Sequence, residues 1–329
     1  MAARLEAVPS VHTLDLVDLR RLSSAHLESL LDEETRTWQA ALDWDFQKSA
    51  DLVRRFVDLR ALSGYALMDG GQAAGYVYFV LEEHKGLIGD LYIRRAFHTI
   101  ENEDRLLTAL LESMIGASQV KRIESQLMMI MPDPARRMPG WQYLNTYGRN
   151  FMLLDFESAP ALAEKPAPTK IYLEKWSDHH TEGSAQLIAG AYASHIDSRI
   201  NDQYRSVNGA RRFLYNIVQY PGCGSFFRPA SFVAFDMRHG WMCGMSLASV
   251  VGNEAGHITQ ICVAPAVRGT GVGYELLRES LACLREHGCR KVSLTVTSAN
   301  HEAVRLYERV GFRTVRRFSA YVWEGFSSA

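Results

Sequence analysis

Cysteine is sparse in this chain, and the five that occur are spaced for neither a zinc site nor a disulfide framework. Cys223, Cys243, Cys262, Cys283 and Cys289 form an odd set without a C-x-x-C pair, which fits free thiols in a reducing compartment. Long apolar runs are missing as well. No stretch approaches the roughly 18 residues of a membrane span, and the opening M-A-A-R-L-E-A-V-P-S lacks the uninterrupted apolar core of a signal peptide. Excess charge is absent too: a formal net charge of −1 argues against a nucleic-acid protein held by bulk electrostatics. The expectation is a cytoplasmic protein with neither a nucleic-acid nor a membrane partner. What is present is ordinary for a soluble globular protein, with 47% apolar and 22% charged residues. At 329 residues, two domains are a better prior than one core.

Periodicity sets out the elements. Leu19 to Trp38 and Phe46 to Leu62 have the mixed spacing of amphipathic helices. Tyr65 to Met68 and Ala74 to Leu81 flank the turn signal D-G-G at Asp69 to Gly71, and Gly86 to Ile93 reads as the next strand. A helix from about Asp104 to Ile115 puts Leu106, Leu107, Leu110, Leu111 and Met114 on one face. Arg122 to Met131 resembles a strand, with Met128, Met129 and Met131 as its core. An irregular segment with Pro132, Pro134 and Pro139 follows, and Phe151 to Phe156 is a closing strand. Glu157 to Thr169 is rich in Pro, Ala and charge and reads as a semi-rigid linker between residues 1–156 and 170–329.

The second half repeats the order. Strands are expected at Lys170 to Leu173, Ser231 to Asp236, Trp241 to Val251 and Gly256 to Pro265. Helices are expected at His179 to Ser194 and Asn208 to Tyr220, then a further helix carrying Leu276, Leu277, Leu281 and Leu284. Aligning Ile93 with Val263 places Leu106-Leu107 on Leu276-Leu277 and Gly86-Leu87-Ile88 on Gly256-His257-Ile258 without a gap, the sign of a duplication. One stretch breaks the match. R-G-T-G-V-G (Arg268 to Gly273) stands opposite H-T-I-E-N-E (His98 to Glu103). Glycine lets a backbone approach a phosphate closely, whereas glutamate adds bulk and repulsion, about 4 kcal/mol for two unit charges at ~4 Å and an effective dielectric of ~20. The first half therefore reads as structural or substrate-shaping.

The glycine turn lacks the third glycine of a dinucleotide fingerprint, whose place is Tyr274, and it lacks the lysine of a P-loop. It is R-x-x-G-x-G after a strand ending V-A-P. A second block follows at Lys291 to Thr297 and then S-A-N-H-E-A-V-R-L-Y-E-R-V-G-F, Ser298 to Phe312. Together these two blocks resemble the GNAT superfamily of acyl-CoA N-acyltransferases, specifically over about Gly256 to Phe312, and the whole chain is similar to tandem GNAT proteins with a degenerate first copy. The resemblance implies an α/β fold of the α+β type: two tandem GNAT-fold domains, each a mixed, mostly antiparallel sheet flanked by helices.

It also implies acetyl-CoA as acyl donor, no metal, and a site that maps residue by residue. Backbone N–H groups of Arg268, Gly269, Thr270, Gly271, Val272 and Gly273 would hold the pyrophosphate, aided by the helix dipole. The strand through Ile261, Cys262 and Val263 would hydrogen-bond the pantetheine arm, with an N–H near Ile261 polarising the thioester carbonyl. Asn300 would bind the cofactor arm, and Tyr307 would protonate the departing thiolate. Where many relatives place a glutamate as base, this chain has His257, whose side chain titrates near neutrality.

Plainer readings stand beside these. Tyr307 could be a packing tyrosine, Asn300 a helix N-cap, His257 an ordinary strand histidine and Cys262 a packing residue. The pair His179-His180 reads as surface without metal-spaced partners. The expected activity is acetyl transfer to a primary amine of a small molecule by direct attack in a ternary complex. The acceptor's walls are expected at His195 to Tyr204 and near Tyr321 and Trp323. The alternatives are a protein N-terminus or lysine as acceptor, since the last block is similar to that of ribosomal-protein N-terminal acetyltransferases, and a CoA-binding sensor or scaffold without catalysis.

Overall fold

The computed structural model describes residues 14–117, 119–160, 162, 171–220 and 222–326. Most of the expected linker, and Lys170 at the start of the next strand, lie outside these. The first half runs β1 (Asp15–Asp18), α1 (Ser24–Leu42), α2 (Gln47–Asp58), β2 (Ser63–Asp69), β3 (Gln72–Glu82), β4 (Lys85–Ile93), α3 (Ile100–Ile115), β5 (Arg122–Leu127) and β6 (Leu144–Asp155). The second runs β7 (Ile171–Lys175), α4 (Thr181–Tyr192), α5 (Asp197–Ile200), α6 (Val207–Gln219), β8 (Ser225–Phe226), β9 (Phe232–Asp236), β10 (Met242–Gly252) and β11 (Ala255–Val263). It ends with α7 (Val272–Glu286), β12 (Lys291–Thr297), α8 (His301–Val310) and β13 (Arg313–Glu324).

Several boundaries moved for identifiable reasons. α1 starts only at Ser24, where Ser23 and His26 form a capping box, and Leu19–Arg21 is a separate 3-10 turn. α3 starts at Ile100 because the Thr99 side chain accepts from Asn102 N–H. β5 stops at Leu127, so the methionines beyond it are not strand core: Met129 is buried but Met131 is 37% exposed. β1 and the short α5 carry too little periodicity to be seen in the sequence.

The thirteen strands form one sheet in the order β1-β2-β3-β4-β5-β13-β6-β12-β11-β10-β9-β7, with β8 paired to β10. Among the strand pairs of the described residues, only β4–β5 and β11–β12 run parallel. The repeat holds in detail. β4 and β11 begin and end at positions the Ile93–Val263 alignment equates, and each carries one extra residue against its hairpin partner, Gly89 against β3 and Thr259 against β10.

The two halves exchange their last strands. β6, from the first half, pairs with β12 of the second, while β13, from the end of the chain, pairs with β5 of the first. β6 and β13 pair with each other between them. The proposed division at the linker is thus a division of the chain, and a cut there would strip a strand from each sheet. The α1–α2 and α4–α6 connections cross over as well. Asp45 N–H donates to Val251 O at 2.6 Å, and Lys291 Nζ reaches Asp43 Oδ2 at 3.0 Å. In the other direction Asp202 N–H donates to Glu124 Oε1 at 3.0 Å and Gln203 to Glu82 at 3.1 Å.

Apolar cores line both faces of each half. α3 packs Leu106, Leu107, Leu110, Leu111 and Met114 on one face of the first half, and α7 packs Leu277, Leu281 and Leu284 in the corresponding place. Tyr321 and Trp323, expected to wall the acceptor, instead belong to the α3-side core of the first half, where Trp323 Nε1–H donates to Pro139 O at 2.9 Å. Strand exchange carries them there. Among the described residues no helix is long and apolar enough to cross a membrane.

Candidate active site

β11 and β12 pair only from Ala255↔Lys291 to Ile258↔Leu294 and then separate. β11 continues beside β10 as far as Val263, so its last five residues keep one edge without a strand partner. A buried backbone edge must find hydrogen bonds somewhere. The gap widens toward the glycine turn and α8, and opens into a cleft of about 960 Å³.

The glycine turn shapes one wall. Gly269 and Gly271 have φ of 75° and 94°, left-handed values that disfavour side chains, and a Cβ on Gly269 would meet no protein atom within 4 Å. Gly271 is the N-cap of α7, so the first N–H groups of that helix point at the cleft without intrahelical partners. The Thr270 hydroxyl closes the turn onto Val267 O at 2.7 Å. This cradle is shaped for a phosphate and leaves room for one.

Of the residues singled out in the sequence, Ile261, Cys262, Val263, Arg268, Gly269, Thr270, Gly271, Gly273, Asn300 and Tyr307 all line the cleft. The Val272 side chain is fully buried beneath it and offers only backbone. Arg268 has a task besides the turn: its Nη2 donates to Ala191 O at 2.6 Å, tying the end of α4 to the glycine loop. Asn300 is both cap and lining residue, with Oδ1 accepting from Ala303 N–H at 3.3 Å and Nδ2 against His195 Nε2 at 3.3 Å. Burial pushes the Cys262 thiol up to about 12, so it packs and does not react. Tyr307 is only 7% exposed, and burial raises its pKa well above the phenol's ordinary value.

His257 is not brought to this cleft. Gly256 and Ile258 face α7, so His257 points to the opposite side of β11. There its ring sits edge-on to Trp44 at 5.0 Å and stacks on Phe151 at 6.3 Å. Nδ1 lies 2.9 Å from Ser293 Oγ, whose hydroxyl donates to Gly256 O at 3.3 Å. With that hydroxyl assigned as donor to Gly256 O, the tautomer that satisfies both contacts has its proton on Nδ1. Burial pulls the pKa down to about 4.

Sequence reasoning missed several residues. Tyr192 lines the cleft where α4 ends, beside His195 of the expected acceptor wall. The Tyr192 hydroxyl accepts from Gln260 Nε2 at 2.8 Å, and the Tyr204 hydroxyl donates to Gln260 Oε1 at 3.2 Å. Arg305 and Arg309 line the cleft from α8, and their spacing of four along R-L-Y-E-R was a usable signal for one basic helix face. Of the expected acceptor wall, His195 lines the cleft itself, and the wall's later residues reach across to the first half.

The pair His179-His180 does have a neighbour the sequence did not show. Glu174 joins them, with one atom from each side chain within 4.8 Å of the others. His180 Nδ1 accepts the Ser177 N–H at 3.1 Å, which places the ring proton on Nε2, the nitrogen facing Glu174 at 3.4 Å. That arrangement caps a helix turn and withholds the lone pair a cation would need.

Comparison with known proteins agrees with this geometry. The model of the Acetyltransferase (GNAT) family matches residues 199–312. A mycothiol acetyltransferase of Thermobispora bispora is 38% identical over 253 residues, covering 75% of this chain and 78% of the relative. An N-alpha-acetyltransferase MAK3 of Arabidopsis thaliana is 26% identical over 166 residues, 49% of this chain and 80% of the relative. Among solved structures, a GCN5-related N-acetyltransferase from Sphaerobacter thermophilus superposes with a TM-score of 0.69 at 16% identity over 97% of both chains. A tandem GNAT protein from the clavulanic acid biosynthesis pathway gives 0.63 at 16% identity, over 94% of this chain and 98% of that one. The chain belongs to the acetyltransferase (GNAT) family of N-acetyltransferases.

Proposed function

We propose that the second half transfers an acetyl group from acetyl-CoA to a primary amine of a small molecule. The observation that carries this is the gap between β11 and β12, with the glycine cradle at one end and Tyr307 lining it. Backbone N–H groups of Arg268 to Gly273 hold the pyrophosphate, and Arg305 and Arg309 add positive charge along the same cleft. The free edge of β11 takes the pantetheine arm as an added strand would. When bound, acetyl-CoA supplies an activated thioester, and the Ile261 N–H polarises its carbonyl. The amine nitrogen forms the new C–N bond, the C–S bond breaks with its electron pair on sulfur, and Tyr307 gives that sulfur a proton.

For the amine's proton, His257 is the acceptor in this proposal. Its Nε2 keeps its lone pair, and among the described residues no hydrogen bond occupies that atom. Its ring faces away from the cofactor cleft, so in this reading the proton reaches it through water. A pKa of about 4 keeps it neutral at physiological pH.

One observation favours a small acceptor: the T. bispora relative is named for mycothiol. Thiol release from acetyl-CoA, followed with a panel of amines that includes deacetylated mycothiol, amino sugars and N-terminal peptides, tests this. Transfer to a small amine is expected. Transfer to peptides alone would move the acceptor to proteins, and no transfer above hydrolysis would leave a cofactor-binding sensor.

A further inference from the structure

Arg149 belongs to the first half by sequence and to the second half's sheet by pairing. β6 places it opposite Thr297, the last residue of β12, where the gap has opened. Its Nη1 donates to Thr297 Oγ1 at 2.6 Å and faces Asp197 Oδ1 at 3.4 Å, while the Thr297 hydroxyl itself donates to Asp197 Oδ1. Asp197 opens α5, and its own N–H donates to His195 Nδ1 at 3.2 Å, which leads through His195 to the cleft. The guanidinium and carboxylate are 12% and 16% exposed. Solvent screens such a pair weakly.

Both charges act on Tyr307. Apart from burial, Asp197 pushes the phenol's pKa up and Arg149 pulls it down. The other titratable groups against this cluster are Tyr192 from α4, His195 beside it, Tyr204 from the turn after α5 and Cys262 from β11. A second observation concerns the arginine alone: its Nε is buried and has no hydrogen-bond partner among the described residues. A buried unpaired donor costs stability.

We propose that Arg149 is a positioning residue for acetyl transfer, through which the first half neutralises Asp197, bonded to His195 at the cleft that Tyr307 also lines. The departing thiolate and the tyrosinate left by proton donation are both negative. A bare carboxylate held behind His195 at this cleft would oppose C–S cleavage; a carboxylate paired with Arg149 does not. The proton leaves the Tyr307 oxygen for sulfur, the C–S electron pair stays on sulfur, and Tyr307 is reprotonated from solvent. The proposal rests on the role given to Tyr307 above. It adds that the catalytic half is electrostatically incomplete without a residue of the other half.

The test is a charge-balance cycle on the full chain. Arg149→Met should lower kcat about 30-fold, with the KM for acetyl-CoA within about twofold of wild type. Arg149→Lys should keep most of the rate. Arg149→Met combined with Asp197→Asn should recover at least about tenfold of the loss, because it removes the unbalanced charge. A purely structural arginine predicts that loss and recovery of kcat follow the melting temperatures of the variants; such tracking, or a double variant no faster than the single, would overturn the proposal. So would an Arg149→Met enzyme with wild-type kcat. In a Tyr307→Phe background the effect of Arg149→Met should shrink to about threefold; an undiminished 30-fold loss there refutes action through Tyr307. Tyr307→Phe alone, if it left kcat unchanged, would overturn the role of Tyr307 and not the charge pairing, which the Asp197 rescue reads separately.

Discussion

In the first half β4 and β5 separate after Ile88↔Ser125, just as β11 and β12 separate after Ile258↔Leu294, yet what fills the two gaps differs. Where the second half has Gly273, the first has Glu103, wholly buried and holding three partners. It accepts from Met131 N–H at 2.8 Å, lies 2.5 Å from His98 Nε2, and pairs with Arg136, whose guanidinium also takes Asp104 at 2.6 Å. Where the second half turns through Asn300 into α8, which carries Tyr307, the first runs through M-M-I-M-P-D-P-A-R-R-M-P-G. Prolines at 132, 134 and 139 forbid a helix there. The segment instead delivers Met129, Ile130, Arg136 and Met138 inward. The fold position that could receive a ligand's negative charge has been closed from inside by the protein's own ion pair.

The largest effect expected from breaking this comparison comes from cutting the chain. Each half contributes the other's strand, so residues 171–329 expressed alone should show no cooperative thermal transition, while co-expression with residues 1–170 restores it. A stable, cooperatively melting isolated second half would contradict the exchange. Next comes the internal plug. Arg136→Ala leaves Glu103 buried without its cation and should cost about 3–5 kcal/mol in denaturant unfolding. Arg136→Met with Glu103→Leu, which removes both charges, should recover most of that, since an apolar pair can replace a buried ion pair. No recovery would mean the pair does more than fill space.

A smaller effect tests the boundary between the halves, where Trp44 and Phe151 enclose His257. Its folded pKa of about 4 lies below the ordinary 6.5, so the unfolded chain takes up the proton first as pH falls. Stability should therefore be lost as pH drops from about 6.5 to about 4, by up to about 3 kcal/mol. His257→Gln should flatten that slope. An unchanged slope would show that the ring is solvated and not buried between the halves.

The sequence made much of this legible. The glycine turn and the Ser298–Phe312 block carry short-range chemistry, and the repeat was readable because equal residues recur at equal spacing. The exchange of β6 and β13 was not, since periodicity gives a strand's faces and not its neighbours. Arg149 was invisible for the same reason: nothing local distinguishes an arginine on an exchanged strand from one on a solvated edge. His257 shows the other limit. Alternation puts it on a face, but Trp44, Phe151 and Ser293, which decide its tautomer and pKa, come from three distant segments. Asp197 and His195 fall in the stretch expected to wall the acceptor, but their partners were not readable there, since α5 is one turn long.

The central claim is two copies of one fold with one working cofactor site. Calorimetric titration of the full chain with acetyl-CoA, alongside Gly271→Glu, which copies the acidic character of the first half's turn, tests it most directly. One site per chain, abolished by Gly271→Glu, is the predicted result. Two equal sites, or binding that survives Gly271→Glu unchanged, would contradict it.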